Sequence, residues 1–216
     1  MPNWCSTTYR FHGTREELEV LNEKIKEWTS SSTIKTDFGD PWLGNILVGA
    51  GLKDRIDNPD SSLNIRCRGT LIGVEDLNCD ENGDYTFDLW TETAWNAMPK
   101  MWLAVIEALG LQTVGFAFYA EECGDEIYWV CDPHEYGDFK ETEVYIDSSG
   151  DEKTEDICGY YTMNDALDIL NKFFGTSYEE INPFYELAEE YIEENGDDIL
   201  FGIHAIDFDN DITHAE

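Results

Sequence analysis

Two hydrophobic periods alternate along residues 1–132, and their order constrains the fold more than any other feature of the chain. Thr7, Tyr9 and Phe11 alternate with polar side chains, a period of two that is typical of a half-buried strand. A spacing of three and four follows at once, in Leu18, Leu21, Ile25 and Trp28. Thr14, with Glu17 three residues later, predicts a capping box at the start of that helix.

The same two periods recur further along the chain. Alternating runs cover residues 63–67, 85–89, 114–118 and 127–131. Asn82-Gly83 supplies a turn before the second run, and Pro99 and Gly110 bound a helix between the second run and the third. The resulting order is β-α-β-β-α-β plus one strand. It predicts an α+β fold, a ferredoxin-like split βαβ arrangement in which an antiparallel sheet carries two helices on one face.

Residues 29–62 follow neither period. Glycines and prolines interrupt them at Gly39, Pro41, Gly44, Gly49, Gly51 and Pro59. Apolar residues such as Trp42 and Leu47 lie between these breaks. We therefore predict a long loop that an apolar patch pins to the core, with room for a short helix over residues 43–50.

After Pro133 the composition changes. Residues 1–132 carry 10 basic and 23 acidic side chains, whereas residues 133–216 carry 3 basic and 24 acidic ones, a net charge of −21. We predict two regions with this boundary, a ferredoxin-like domain over 1–132 and an acidic α+β extension over 133–216. The extension either forms its own domain or shares the core of the first.

The acidic extension has a recognisable order of elements. Apolar residues on either side of Ser149-Gly150 predict a hairpin, and two helical patterns end at Gly175 and Gly196. The final run, 199–208, is apolar on both faces up to Asp207. Because a strand that is buried on both faces has such a continuous apolar run, we expect this strand to lie inside a sheet.

The net charge of the whole chain, −34, excludes several classes of partner. A protein that binds nucleic acid neutralises phosphates with Lys and Arg, so a surface this negative repels DNA and RNA, and anionic membranes likewise. The chain also contains 7 Trp, 11 Tyr and 11 Phe, enough aromatic residues for a packed core. We therefore expect a folded protein that binds neither nucleic acid nor a membrane directly.

Segment composition places the chain in the cytoplasm. No segment approaches the roughly 20 apolar residues of a membrane span, and the N-terminus lacks the pattern of a signal peptide. The six cysteines are scattered without CxxC pairs, which is typical of thiols in a reducing compartment. We predict a cytoplasmic protein without cofactors.

Three pieces of sequence resemble a known family. The chain opens with Met-Pro-Asn-Trp-Cys, residues 93–95 read Thr-Ala-Trp after an aromatic strand, and residues 119–124 read Tyr-Ala-Glu-Glu-Cys-Gly at a strand end. Over about residues 1–132 the chain thus resembles a family of uncharacterised phage- and plasmid-borne proteins. The resemblance implies a ferredoxin-like fold and an origin in mobile elements or their bacterial hosts. It implies no activity.

Five glutamates mark a candidate partner-binding face on the last predicted helix. They are Glu186, Glu189, Glu190, Glu193 and Glu194. Their spacing puts them opposite the apolar face over about 12 Å, and no basic residue accompanies them on that helix. They form either a solvated acidic face or a row of charges that resembles phosphates and binds a cationic partner.

Other polar clusters predict no metal site. Residues 80–84 and 207–211 begin like calcium loops, but neither has the glycine that must follow the third ligand. Cys123, Cys131 and His134 match no zinc module. Cys5 and His12 would lie about 23 Å apart along one extended strand, which argues against a nucleophile pair. We predict no catalytic residue from these patterns.

Arg66 and Arg68 share a face of the second predicted strand, with Arg10 as a candidate neighbour. They form either an anion site or internal salt bridges. Because acidic residues outnumber basic ones, we expect salt bridges.

Three functions remain open at this point. The first is a non-enzymatic interaction protein of mobile-element origin, a nucleic-acid mimic of the anti-restriction or anti-defence type, whose acidic region binds a cationic surface of a nucleic-acid-binding protein. The second is a structural or assembly module in which the acidity confers only solubility. The third is an enzyme that uses unassigned Cys, His and Glu residues such as Glu121 and Glu122.

Overall fold

The chain is an α+β protein. Its structure is a computed structural model that describes residues 3–30, 34, 36–60, 64–122, 124, 127–196 and 199–212. It divides into two compact units. The first unit extends to Asp138 and includes the chain again from Asp209, and the second unit is Phe139–Phe208. No helix of the described residues is long and apolar enough to cross a bilayer.

The first unit contains the longest strands. Its elements in chain order are β1 (Trp4–Gly13), α1 (Arg15–Trp28), α2 (Gly44–Gly49), a short 3-10 turn (Lys53–Arg55), β2 (Gly69–Val74), β3 (Asn78–Cys79), β4 (Tyr85–Ala94), α3 (Pro99–Leu109), β5 (Gly115–Glu122) and β6 (Ile127–Cys131). The sheet order is β6-β5-β1-β4-β2, with β3 beside β4. These neighbouring strands pair antiparallel.

The two faces of β1 have different environments. Tyr9 and Phe11 are fully buried in the core, whereas Arg10 and His12 lie on the other face and are only partly buried. Trp102 of α3 contacts Phe11 edge to face, with ring centroids 5.4 Å apart. The period of two in the sequence therefore predicts correctly which side of β1 packs against the helices.

The prediction of a second strand over residues 63–67 is wrong. In this part of the chain the strand that pairs with β4 is β2, which begins only at Gly69, and Leu63 lies outside the described residues. Ile65 and Cys67 are buried as their alternation predicts. Ile65, however, donates its N–H to the Arg55 carbonyl, so this run packs against the core without joining the sheet.

The predicted capping box at α1 is also wrong, although the helix begins where expected. The Thr14 side chain makes no cap hydrogen bond. Glu17 Oε2 instead accepts hydrogen bonds from Thr113 N and Thr113 Oγ1, at 2.8 and 2.7 Å. A residue just before β5 thus binds the carboxylate that the pattern assigned to Thr14.

The loop before β2 is pinned as predicted. Ile46 and Leu47 of α2 are fully buried, and α2 falls inside the range left for a short helix. Leu43 N donates to Gly69 O and Leu71 N donates to Pro41 O, so the loop also covers part of the β2 edge.

The second unit has its own core and sheet. Its elements are β7 (Val144–Ser149), α4 (Glu152–Glu155), β8 (Gly159–Tyr161), α5 (Met163–Phe174), α6 (Asn182–Asn195), β9 (Leu200–Ala205) and β10 (Asp207–Phe208). The sheet order is β8-β7-β9, with antiparallel pairing. Val144, Leu170 and Phe184 are fully buried between this sheet and the helices.

The hairpin and both helices of this unit are confirmed. Gly175 has the left-handed φ of 69° that ends α5. The expectation for the last strand is wrong, because β9 lies at the edge of the β8-β7-β9 sheet. Its burial alternates instead, with Phe201 and Ile203 buried and Leu200 50% exposed.

Candidate functional site

The five glutamates of α6 lie on its solvent side. Each is exposed, whereas Phe184 and Ala188 on the opposite side are buried. No described residue forms an ion pair with any of the five. The structure thus leaves these carboxylates, Glu186, Glu189, Glu190, Glu193 and Glu194, to solvent or to a partner.

Helix α1 has the same length and the same number of glutamates, but it also carries three basic residues. Arg15 pairs with Glu19 at 2.7 Å and Lys24 with Glu27 at 2.6 Å, and Lys26 stands in the last turn. α6 has no basic residue in its last turn, where the helix dipole favours a cation. The helical stability of α6 therefore does not account for its glutamates.

The surrounding unit amplifies this negative charge. Residues 139–208 contain 3 basic and 19 acidic side chains, a net charge of −16. A cationic surface that approaches α6 therefore meets a field of one sign.

The first unit holds a polar groove that the sequence did not indicate. Its volume is about 1220 Å³. Arg10 and His12 of β1, Asp88 of β4, and Tyr136 and Asp138 of the segment after β6 line one part of it. The groove therefore combines side chains from the sheet with side chains from an irregular segment.

Arg10 is held by two carboxylates. Its Nε and Nη2 donate to Asp88 Oδ1 and Oδ2, both at 2.8 Å, and its Nη1 donates to Asp138 Oδ1 at 3.2 Å. The pKa of Arg10 is raised above its ordinary value, chiefly because of its hydrogen bonds to Asp88. The prediction of an internal salt bridge is confirmed for this arginine.

His12 completes the cluster. Its Nε2 lies 2.5 Å from Asp138 Oδ2, and its ring stacks on Tyr136 with centroids 3.8 Å apart and an angle of 8° between the planes. Burial acts to raise the pKa of Asp138, but the hydrogen bonds and charges of His12 and Arg10 outweigh it and hold that pKa below its ordinary value.

The segment 132–138 is built to reach this position. The buried Asp132 carboxylate accepts hydrogen bonds from Tyr136 N and Gly137 N, at 2.9 and 2.8 Å. A Cβ at Gly115 of β5 would collide with the Tyr136 hydroxyl and approach the His134 ring at 2.8 Å, so both side chains would have to shift.

The β1–β4 register places Asp88 directly opposite Arg10, and the two alternating runs contain both residues. Pairing the runs in that register is the only signal that could have predicted this contact. Asp138 carries no such signal, because it follows the last strand in an irregular segment.

The remaining candidates do not form sites. Cys5 is buried in the core, where desolvation raises the pKa of its thiol to about 11, and it faces away from His12. Glu121 and Glu122 lie outside the groove. Asp80 accepts hydrogen bonds from Asn82 N and Asp84 N, at 2.8 and 2.9 Å, so that acidic loop is a backbone turn. Cys123 lies outside the described residues, and within them no group of three or more His, Cys, Asp or Glu is placed to hold a metal ion.

Arg66 and Arg68 differ from Arg10. Both are exposed, and neither pairs with a carboxylate of the described chain. The expectation of salt bridges is wrong for these two, because β2 starts after them and leaves them outside the regular sheet.

The chain matches no protein-family model, and comparisons with curated proteins and with solved structures give no match.

Proposed function

We propose that the protein is a non-enzymatic acidic interaction protein whose second unit binds the cationic surface of a nucleic-acid-binding protein. The observation that carries this proposal is the outward row of five unpaired glutamates on α6. A residue choice that opposes the helix dipole and leaves every charge exposed is best accounted for by a partner.

The row has the charge spacing of a nucleic acid. Five carboxylates lie along about 12 Å of helix. Duplex DNA carries one negative charge per about 1.7 Å of axis over both strands, and one per about 3.4 Å on a single strand. The α6 row falls between these spacings, so a groove that accepts phosphates can accept the row. This makes the protein a nucleic-acid mimic of the anti-restriction or anti-defence type.

We further propose a ferredoxin-like fold for the first unit and an origin in a mobile element. The order β5-β1-β4-β2 with antiparallel neighbours, and helices α1 and α3 after β1 and β4, support the fold. The resemblance of residues 1–132 to phage- and plasmid-borne proteins supports the origin, and a mimic of this kind acts in the host cytoplasm, without direct contact to nucleic acid or membrane.

The test is capture from bacterial lysate on immobilised protein across a salt series. We expect the wild type to retain a nucleic-acid-binding protein that added duplex DNA displaces. We expect a variant with Glu186, Glu189, Glu190, Glu193 and Glu194 changed to Gln to lose it.

A matched control variant has the same net charge as the α6 variant. It neutralises five exposed acidic residues elsewhere in the second unit, Glu141, Glu152, Asp156, Glu179 and Glu180, as their amides. Retention by this control and loss by the α6 variant locate the interface. Equal retention by both variants, or a captured protein that DNA does not displace, contradicts the proposal.

A second candidate, an enzyme, is favoured by the groove of the first unit. Asp138 binds His12 Nε2, and His12 Nδ1 has no hydrogen-bond partner among the described residues. A carboxylate that keeps the proton on Nε2 leaves Nδ1 as the basic nitrogen, able to take a proton from water. Hydrolysis of p-nitrophenyl esters or phosphates that disappears in His12→Gln supports this candidate. Hydrolysis at an unchanged rate in His12→Gln rejects it.

A further inference from the structure

Two tryptophans and two arginines lie on the chain segments that come together where β1 begins and β4 ends. Trp4 lies opposite Ala94 in the register, and Trp95 N donates to Asn3 O at 2.9 Å. Ala94 N donates to Arg68 O at 2.8 Å, and the Arg68 guanidinium lies 5.4 Å from the centroid of the Trp95 ring. Arg66 is exposed like Arg68, with buried Cys67 between them. We call these four residues, Trp4, Arg66, Arg68 and Trp95, the Trp–Arg surface.

Trp95 is held in a strained conformation. Its φ of 68° lies in the left-handed region that bulky residues rarely adopt. The residue is 44% exposed, so core burial does little to offset the strain. Strain that the fold does not require is typical of residues kept for recognition.

Arg66 and Arg68 belong, like Lys53 and Arg55, to the cations that pair with no carboxylate of the described residues. Arg10, Arg15, Lys24 and Lys26 each have a carboxylate partner. The cation–π contact with Trp95 positions the guanidinium of Arg68, and a guanidinium fork matches the oxygens of a phosphate.

We infer that the Trp–Arg surface binds a nucleoside phosphate. The base stacks on the exposed indole of Trp95, and the phosphates bind the guanidinium groups of Arg66 and Arg68. A small ligand is favoured over a nucleic acid because the net charge of −34 repels a long polyanion along its length. A small ligand occupies only one spot, and salt screens its repulsion from charges that lie more than about 8 Å away. This site is independent of the function proposed for α6.

The test is fluorescence anisotropy of ribose-labelled ATP with the full chain, competed by unlabelled ATP, adenosine and inorganic triphosphate. We expect ATP to compete at least tenfold better than either fragment, because base and phosphates bind different residues. We expect Arg66→Gln with Arg68→Gln, and separately Trp95→Gly, to weaken labelled ATP at least tenfold. Lys53→Gln, which removes an exposed cation from the 3-10 turn, serves as the matched control and should change the affinity less than twofold.

Trp95→Gly also separates recognition from folding. Glycine adopts the left-handed region freely, so this variant should unfold at the same or a higher temperature than the wild type while it loses ATP. A lower unfolding temperature gives Trp95 a structural role and overturns its assignment to the site. Absence of binding at 5 mM ATP, or competition by triphosphate as strong as that by ATP, overturns the nucleoside phosphate.

Discussion

Asp138 lies 2.5 Å from His12 across 126 residues of sequence, and it joins the segment after β6 to the strand that opens the chain. The same carboxylate binds Arg10 at 3.2 Å, and its side chain is only 12% exposed. One acidic residue therefore fixes the position of segment 132–138 on the sheet.

Asp138→Asn should destabilise the first unit. The change removes the charge that faces His12 and Arg10, and hydrogen bonds to charged groups contribute about 1.5–3 kcal/mol each. We expect a loss of about 2 kcal/mol in the free energy of unfolding, measured with urea. Asp76→Asn is the control, because Asp76 pairs with Lys26 at the surface and is 97% exposed. A surface pair of this kind contributes little to stability, so equal losses in the two variants would contradict this role for Asp138.

The effect of Asp138 should depend on pH. Burial acts against the ionised form, but His12 and Arg10 together hold the pKa of Asp138 below its ordinary value of 3.8. A depressed carboxyl pKa stabilises the fold above the unfolded-state value, and this stabilisation is lost as pH falls through the folded-state value. The difference in stability between wild type and Asp138→Asn should be present at pH 5 and shrink toward pH 2. A difference that grows on acidification would show that the pKa is raised instead.

Gly115→Ala should test the packing of segment 132–138. The added methyl group would collide with the Tyr136 hydroxyl and approach the His134 ring at 2.8 Å. Overpacking of this kind costs about 1–3 kcal/mol. Because the hydroxyl is the far end of a side chain, the loss should be smaller in a Tyr136→Ala background, and a double-mutant cycle measures that difference. Additive losses would mean that His134 or the strand, and not Tyr136, resists the change.

The cysteines should react according to burial. Desolvation is the largest cause that raises the thiol pKa of Cys67 and Cys131 to about 12 each, and Cys5 is likewise buried. Cys79 and Cys158 are exposed. At pH 8, iodoacetamide should label Cys79 and Cys158 in the native protein and the buried three only after unfolding, which peptide mass spectrometry can follow. Rapid native labelling of Cys67 would contradict its buried position.

Sequence reasoning succeeded where one physical signal determined the structure. Pro99 and Gly110 bound α3 because the missing N–H of proline and the left-handed φ of glycine fit only helix ends. It failed at Ile65 and Cys67, where the alternation correctly predicted burial but could not predict which segment the backbone would hydrogen-bond to. The α6 row was visible because helical periodicity is local. The groove was not, because Asp138 reaches His12 through an irregular segment whose path no periodicity encodes.

Glu193→Lys should separate the stability of α6 from its proposed function. A cation in the last turn matches the helix dipole and can pair with Glu189 one turn earlier, a gain of about 0.3–1 kcal/mol. The same change removes a carboxylate from the row, so partner retention in the lysate experiment should fall while the urea midpoint rises. Glu186→Lys is the matched control, since it makes the same charge change outside the last turn, where the helix dipole adds nothing. We expect it to weaken retention and to raise the midpoint less than Glu193→Lys does. If Glu193→Lys raises the midpoint and leaves retention intact, Glu193 lies outside the interface.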